Sequence, residues 1–256
     1  MIIYKTEQEI EQMRQSNWIV ARVLNELKEM IRTGITTLEL DRYAEKRIRQ
    51  MGGEPAFKGY RGFPNSLCAS INEEIVHGIP SERRLKEGDI ISLDLGVLYN
   101  GYYGDAAVTL PVGDVSQEKR KLLKVGKKAL MIGISQAKEG NRISDISAAI
   151  QKLVEQNGFS VIRAFVGHGI GSSLHEEPQI PNFGLPGRGV MIKRGMVLAI
   201  EPMIVTGSYE VEVLTDNWTA VTKDRSCAAH FEHSVAVMSN GPVILSLLSE
   251  KERKYA

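Results

Sequence analysis

Residues 86–94, KEGDIISLD, and residues 193–201, KRGMVLAIE, are two copies of one plan. In each, a charged turn with a glycine leads into an apolar run, and a carboxylate follows six positions beyond the glycine: Gly88 to Asp94, Gly195 to Glu201. Both runs have the composition of strands that end on an acid. Along DIISLDLGV the pleat turns Ile91, Leu93, Leu95 and Val97 to one side and Ser92 and Asp94 to the other. In GMVLAIEPM, Glu201 closes a wholly apolar run.

The duplication extends upstream. Met13, Val20, Leu24, Leu27 and Ile31 recur at helical spacing, with Asn17 breaking the stripe, and predict a long amphipathic helix that stops at Gly34. Thr36 and Glu39 form a capping box for a second helix running to Gly52-Gly53. After residue 115 the plan returns, with helices expected over 120–137 and 144–157, broken at Gly140. Gly34 to Gly52 and Gly140 to Gly158 are both separations of 18. A third match pairs Asp105 in GDAAVTL with Glu232 in FEHSVAV, each read as opening a short strand. The expectation is a single domain over 1–256, built from two repeats at approximately 7–113 and 115–248, with a site between them. Residues 55–85 and 171–195, rich in Gly, Pro and Asn, read as loops.

Composition narrows the function. The 32 Lys and Arg against 31 Asp and Glu leave a net charge of +1, which gives no field for gathering nucleic acid or an anionic membrane. The opening MIIYKTEQEIEQMRQ lacks the apolar core of a secretory signal, and no run of apolar residues is long enough to span a bilayer, so a cytoplasmic protein is expected. Cys68 and Cys227 are too few for a disulfide framework and read as buried free thiols.

Ionised carboxylates on apolar strands are costly unless they meet a cation. One lysine or arginine could neutralise one acid, but four acids on repeat-related strands point to metal, and four carboxylates imply two ions. Oxygen and imidazole donors suit Mn, Fe, Co or Zn, and no cysteine is expected near these strands to make a thiolate site. Among the five histidines, His168 in VGHGIG has glycine neighbours that leave it uncrowded, while His77 in VHGIP and His175 in LHEEP sit in loops where substrate contacts are made. There is no phosphate loop, nucleophile elbow or H-E-x-x-H helix. A Cys68/His77 pair is the weak remaining nucleophile candidate.

Five segments carry a family resemblance: FKGYRGFPNSLCASINEEIVHGIP, DIISLDLGVLYNGYYGDAA, VGHGIGSSLHEEPQIPNF, GMVLAIEPM and DNWTAVTKDRSCAAHFEH. In content and order they resemble the site-forming segments of type I, bacterial-like methionine aminopeptidases, over nearly the whole chain. The resemblance implies an α+β pita-bread fold, a curved antiparallel sheet of two pseudo-twofold halves backed by helix pairs. It implies that Asp94 chelates one divalent ion, that His168 and Glu201 bind a second, and that Asp105 and Glu232 bridge both, with a bridging water or hydroxide as nucleophile. By the same resemblance Glu201 is the general base, and His77 and His175 flank the scissile peptide. Tyr60, Cys68, Leu174 and Trp218, with Phe57 and Phe63 adjoining, form the methionine pocket. The substrate is a nascent chain or peptide with a free N-terminal methionine and a small second residue; a monomer and docking to the ribosome are further expectations.

Two alternatives remain on the same fold and outside it. A prolidase or proline-specific aminopeptidase would use the same five ligands but usually carries an added N-terminal domain. A dinuclear phosphoesterase would need a basic cluster that these motifs lack.

Overall fold

The computed structural model describes residues 1–249. Four helices form two pairs: α1 (Glu7–Met30) with α2 (Thr37–Gln50), and α3 (Gln117–Gln136) with α4 (Ile143–Gln156). The Thr36–Glu39 capping box forms as expected, and Thr6 with Glu9 makes a second one at the start of α1. Gly34, Gly52, Gly140 and Gly158 all take left-handed backbone after their helices, at φ of 89, 79, 91 and 81°. A side chain would be strained there, which is why the punctuation repeats in both halves.

In the first half the strands Ile90–Tyr99 and Tyr102–Pro111 make a long antiparallel hairpin, and Cys68–Ile71 joins its other edge. Asn100 and Gly101, both at positive φ, form its two-residue turn. In the second half Val197–Ile200 lies between His233–Met238 and Val166–Gly169, with Glu176–Pro181 and Gly241–Ile244 outside. Each helix pair covers its own half. Val20, Leu27, Leu40 and Ile48 pack with Ile91, Leu93, Leu95 and Val97, as the strand pleat predicts. Leu122, Ala129, Ile146 and Ile150 pack with Leu198 and Val235. The architecture is α+β, with mixed helices and antiparallel sheets.

Asn17, which breaks the apolar stripe of α1, lies where the helix backbone meets the first hairpin. The helix backbone meets Gly104 there so closely that a Cβ on that glycine would lie 2.7 Å from the Asn17 nitrogen. Asn17 turns back along its own helix, its Nδ2 donating to Met13 O at 2.9 Å.

The halves meet along a short seam. Ala107 and Glu232 exchange backbone hydrogen bonds, at 2.9 and 3.4 Å. On either side, hydroxyls replace the ladder. Ser234 Oγ donates to Asp105 O and accepts from Asp105 N, while Thr109 Oγ donates to His230 O and accepts from His230 N.

Some expectations need correction. Asp94 lies in the middle of its strand, which runs on to Tyr99 because the hairpin continues past it. Asp105 is likewise the fourth residue of a ten-residue strand rather than its start. The stretches read as loops contain strands, Cys68–Ile71, Glu74–Val76 and Glu176–Pro181, whose turn residues masked their short extended runs. Cys227 is only partly buried. Among the described residues no helix is long and apolar enough to cross a membrane.

Candidate metal centre

The two strand systems and their seam aim four carboxylates and an imidazole into one cavity of about 340 Å³. Asp94 and Asp105 come from the two strands of the first hairpin, Glu201 and Glu232 from the equivalent pair in the second half, and His168 from the strand beside Glu201. Asp105, His168 and Glu232 each present a donor atom within 4.8 Å of the other two, and all three are buried. Glu201 lies between two rings, Oε1 at 3.5 Å from His168 Nε2 and Oε2 at 3.5 Å from His230 Nε2.

These acids lack cationic side-chain partners. Among the described residues, no lysine or arginine forms an ion pair with any of them. Asp94 Oδ1, Asp105 Oδ1 and Glu232 Oε1 are buried with no hydrogen-bond partner. Burial, followed by repulsion from neighbouring acids, pushes Asp105 and Glu232 well above the usual carboxylate range. Burial likewise lifts Asp94 and Glu201 to about 7. Orphaned buried oxygens beside an imidazole are the donor set of a hard or borderline divalent ion, so these residues fit a metal.

Cys68 corrects a further expectation. It sits directly opposite Asp94 on the neighbouring strand and lines the cavity, so a cysteine does lie near the acids. Burial and the surrounding carboxylates push its thiol well above the ordinary value, which keeps it protonated. That state leaves no thiolate for a Cys68/His77 nucleophile.

The other site residues expected from sequence also line the cavity. Phe57, Phe63 and Leu174 form a buried apolar wall with Cys68, and Trp218 packs edge-on against Phe63 at 5.1 Å. Tyr60 stacks on His175 and its hydroxyl meets His175 Nδ1 at 2.8 Å. His175 in turn lies 4.3 Å from the His168 ring, and His77, at φ 60°, packs edge-on to Phe165 and Trp218. Burial lowers His77 to about 4, so its ring is neutral at neutral pH. His175, although exposed as a residue, is lowered too, by loss of water around its ring and by the Arg61 charge.

His230 was not singled out from the sequence. It is 2% exposed, both ring nitrogens lack partners, and it faces Glu201 inside the cavity. Its signal was present in AAHFEH, where His230 stands two residues before Glu232, the spacing that can turn two extended-chain residues the same way. Phe165 and Arg61 also line the cavity without having been expected.

A model for metallopeptidase family M24 matches residues 11–239. The methionine aminopeptidase of Clostridium perfringens is 53% identical over 248 residues, spanning 97% of this chain and 100% of its own length. Methionine aminopeptidase 1 of Bacillus subtilis is 53% identical over 246 residues, spanning 96% and 99%. The crystal structure of methionine aminopeptidase from Thermotoga maritima matches with a TM-score of 0.96 at 46% identity, covering 97% of this chain and 100% of that one. The prolidase from Pyrococcus furiosus shares the fold at a TM-score of 0.79 and 24% identity, with 97% of this chain matching 66% of that one.

Proposed function

The chain belongs to metallopeptidase family M24 and is a metal-dependent methionine aminopeptidase of the pita-bread fold, and we propose that Asp94, Asp105, His168, Glu201 and Glu232 hold its divalent metal. The observation that carries this assignment is the set of buried carboxylate oxygens left without partners in an apolar-walled cavity. In the proposal two ions would be held, Asp94 serving one, His168 and Glu201 the other, with Asp105 and Glu232 available to either. When bound, such ions supply an acidified water and polarise the scissile carbonyl.

The protein's own side chains do the remaining work. Glu201, which reaches about 7 when no ion offsets its burial, is the general base that takes a proton and returns it to the leaving amine. His77 and His175 act as neutral hydrogen-bonding groups on either side of the peptide. In the tautomer where His175 Nδ1 accepts from the Tyr60 hydroxyl, the ring proton is on Nε2, where it would be available to a substrate oxygen. The wall formed by Phe57, Phe63, Cys68, Leu174 and Trp218, with Tyr60 at its edge, takes the methionine side chain, since a thioether packs well on aromatic and apolar surfaces. We further assign a small second residue, a cytoplasmic location, a single-domain monomer and work on nascent chains near the ribosome; manganese, iron, cobalt and zinc all suit the donor set.

A metal-replete assay of Met-Ala-Ser beside an X-Pro dipeptide tests the reading. Cleavage of Met-Ala-Ser alone, with Glu201→Ala reducing turnover by at least about 10²-fold, is the expected result. Cleavage of X-Pro alone, or full activity in the variant, contradicts it.

A further inference from the structure

We propose that Lys5 is a positioning residue for His175, acting through Glu176; this rests on the reading of His175 as a group that touches substrate. Residues 2–6 run along the second half before α1 begins. The Lys5 backbone N–H donates to Gly195 O at 2.7 Å, just ahead of the strand that leads to Glu201, and Ile2 bridges to Glu177. The Lys5 side chain then turns inward and pairs with Glu176, leaving the two side chains 3% and 4% exposed.

The turn before Glu176 is wrapped around this pair. Glu176 Oε1 accepts from Ser173 N at 3.2 Å, Gly171 N donates to Ser173 O at 3.1 Å, and Tyr103 N donates to Gly171 O at 2.8 Å. A Cβ on Gly171 would lie 2.4 Å from Lys5 Cε and 2.6 Å from Glu176 Oε1, so the glycine leaves the space that the lysine stem occupies. Leu174 and His175 ride on this turn and line the cavity.

A buried ion pair is a poor source of stability, because two apolar side chains of similar size commonly do as well. What it supplies here is direction. Once Glu176, the first residue of its strand, is held inward by the ammonium group, the bend that carries Ser173, Leu174 and His175 into that strand is anchored, with the His175 ring facing Tyr60 and His168. The imidazole is thus fixed from two sides, by the Tyr60 hydroxyl at Nδ1 and by the Lys5–Glu176 clamp at its backbone. Because Lys5 directly precedes the Thr6 cap of α1, the clamp also ties the first helix to the loop of the opposite half.

A double-mutant cycle with Lys5→Met and His175→Ala tests this on the metal-loaded enzyme. Lys5→Met is expected to lower kcat/KM about 10-fold, mostly through kcat, but less than about 2-fold once His175 is already alanine. If Lys5→Met does not fold, as judged by circular dichroism and metal content, Glu176→Gln replaces it, since it keeps the side-chain length and removes the charge. Equal losses in both backgrounds, or no loss at all, overturn the proposal while leaving the His175 reading intact. A silent His175→Ala overturns that reading, and the proposal with it.

Discussion

Burial, more than any local charge, sets the chemistry of the histidines and thiols. His233, whose Nδ1 meets Ser246 Oγ at 2.8 Å, is lowered from 6.5 to about 4, chiefly by burial. Its folded value lies below its unfolded value, so the unfolded chain takes up a proton first as pH falls. The stability it contributes is complete above 6.5 and is lost as pH falls toward 4, on the order of 3 kcal/mol over that interval. His233→Gln should therefore show a flatter fall in Tm between pH 6.5 and 4 than the parent protein; parallel slopes would refute the sign. The two thiols differ in access. Cys68 is buried and faces four acids, whereas Cys227 is partly exposed, so a thiol reagent at neutral pH should label Cys227 first by mass spectrometry. Prior labelling of Cys68 would contradict its environment. The acids that line the cavity were legible in the sequence because acids on apolar strands are conspicuous. His230 was not, since its role comes from a contact with Glu201, twenty-nine positions away, and from loss of water, neither of which appears in a residue string.

Among the elements, the seam between the halves fixes the two acids that lie nearest the pseudo-twofold. Thr109 Oγ serves three partners there: Ser92 Oγ at 2.9 Å, His230 O at 2.7 Å and His230 N at 2.8 Å. Thr109→Val keeps the shape and orphans these groups in a dry interior, at a cost of about 1–3 kcal/mol for each one left unsatisfied. The expected outcome is a fall in Tm together with weaker metal binding, measured by denaturation and calorimetry on the same samples. Unchanged metal affinity would mean that the seam does not position Asp105 and Glu232. Helix pairs, the Thr36 cap and the glycine stops could be read from period and punctuation alone. The strands Cys68–Ile71 and Glu176–Pro181 could not, because each is short and flanked by turn residues. Asn17 was visible as a break in the stripe of α1, but the approach of Gly104 to its backbone is a tertiary fact.

For the whole molecule, duplication explains why the centre lies where it does. Each half contributes one strand pair carrying two acids, and joining the halves along Asp105–Ser234, Ala107–Glu232 and Thr109–His230 brings all four to one cavity. His168 has no acid or imidazole counterpart in the first half; the strand Cys68–Ile71, which occupies the corresponding edge, offers a protonated thiol instead. Under the proposed assignment the two metal positions would therefore be unequal, one supplied by carboxylates alone and one with an added imidazole. Metal stoichiometry tests this most directly: the metal-free protein is titrated with manganese by calorimetry, and bound ions per chain are counted by elemental analysis, for the parent and for Asp94→Asn. The account predicts two unequal equivalents in the parent and the loss of one in the variant. A single equivalent in the parent, or two undiminished equivalents in Asp94→Asn, would contradict it.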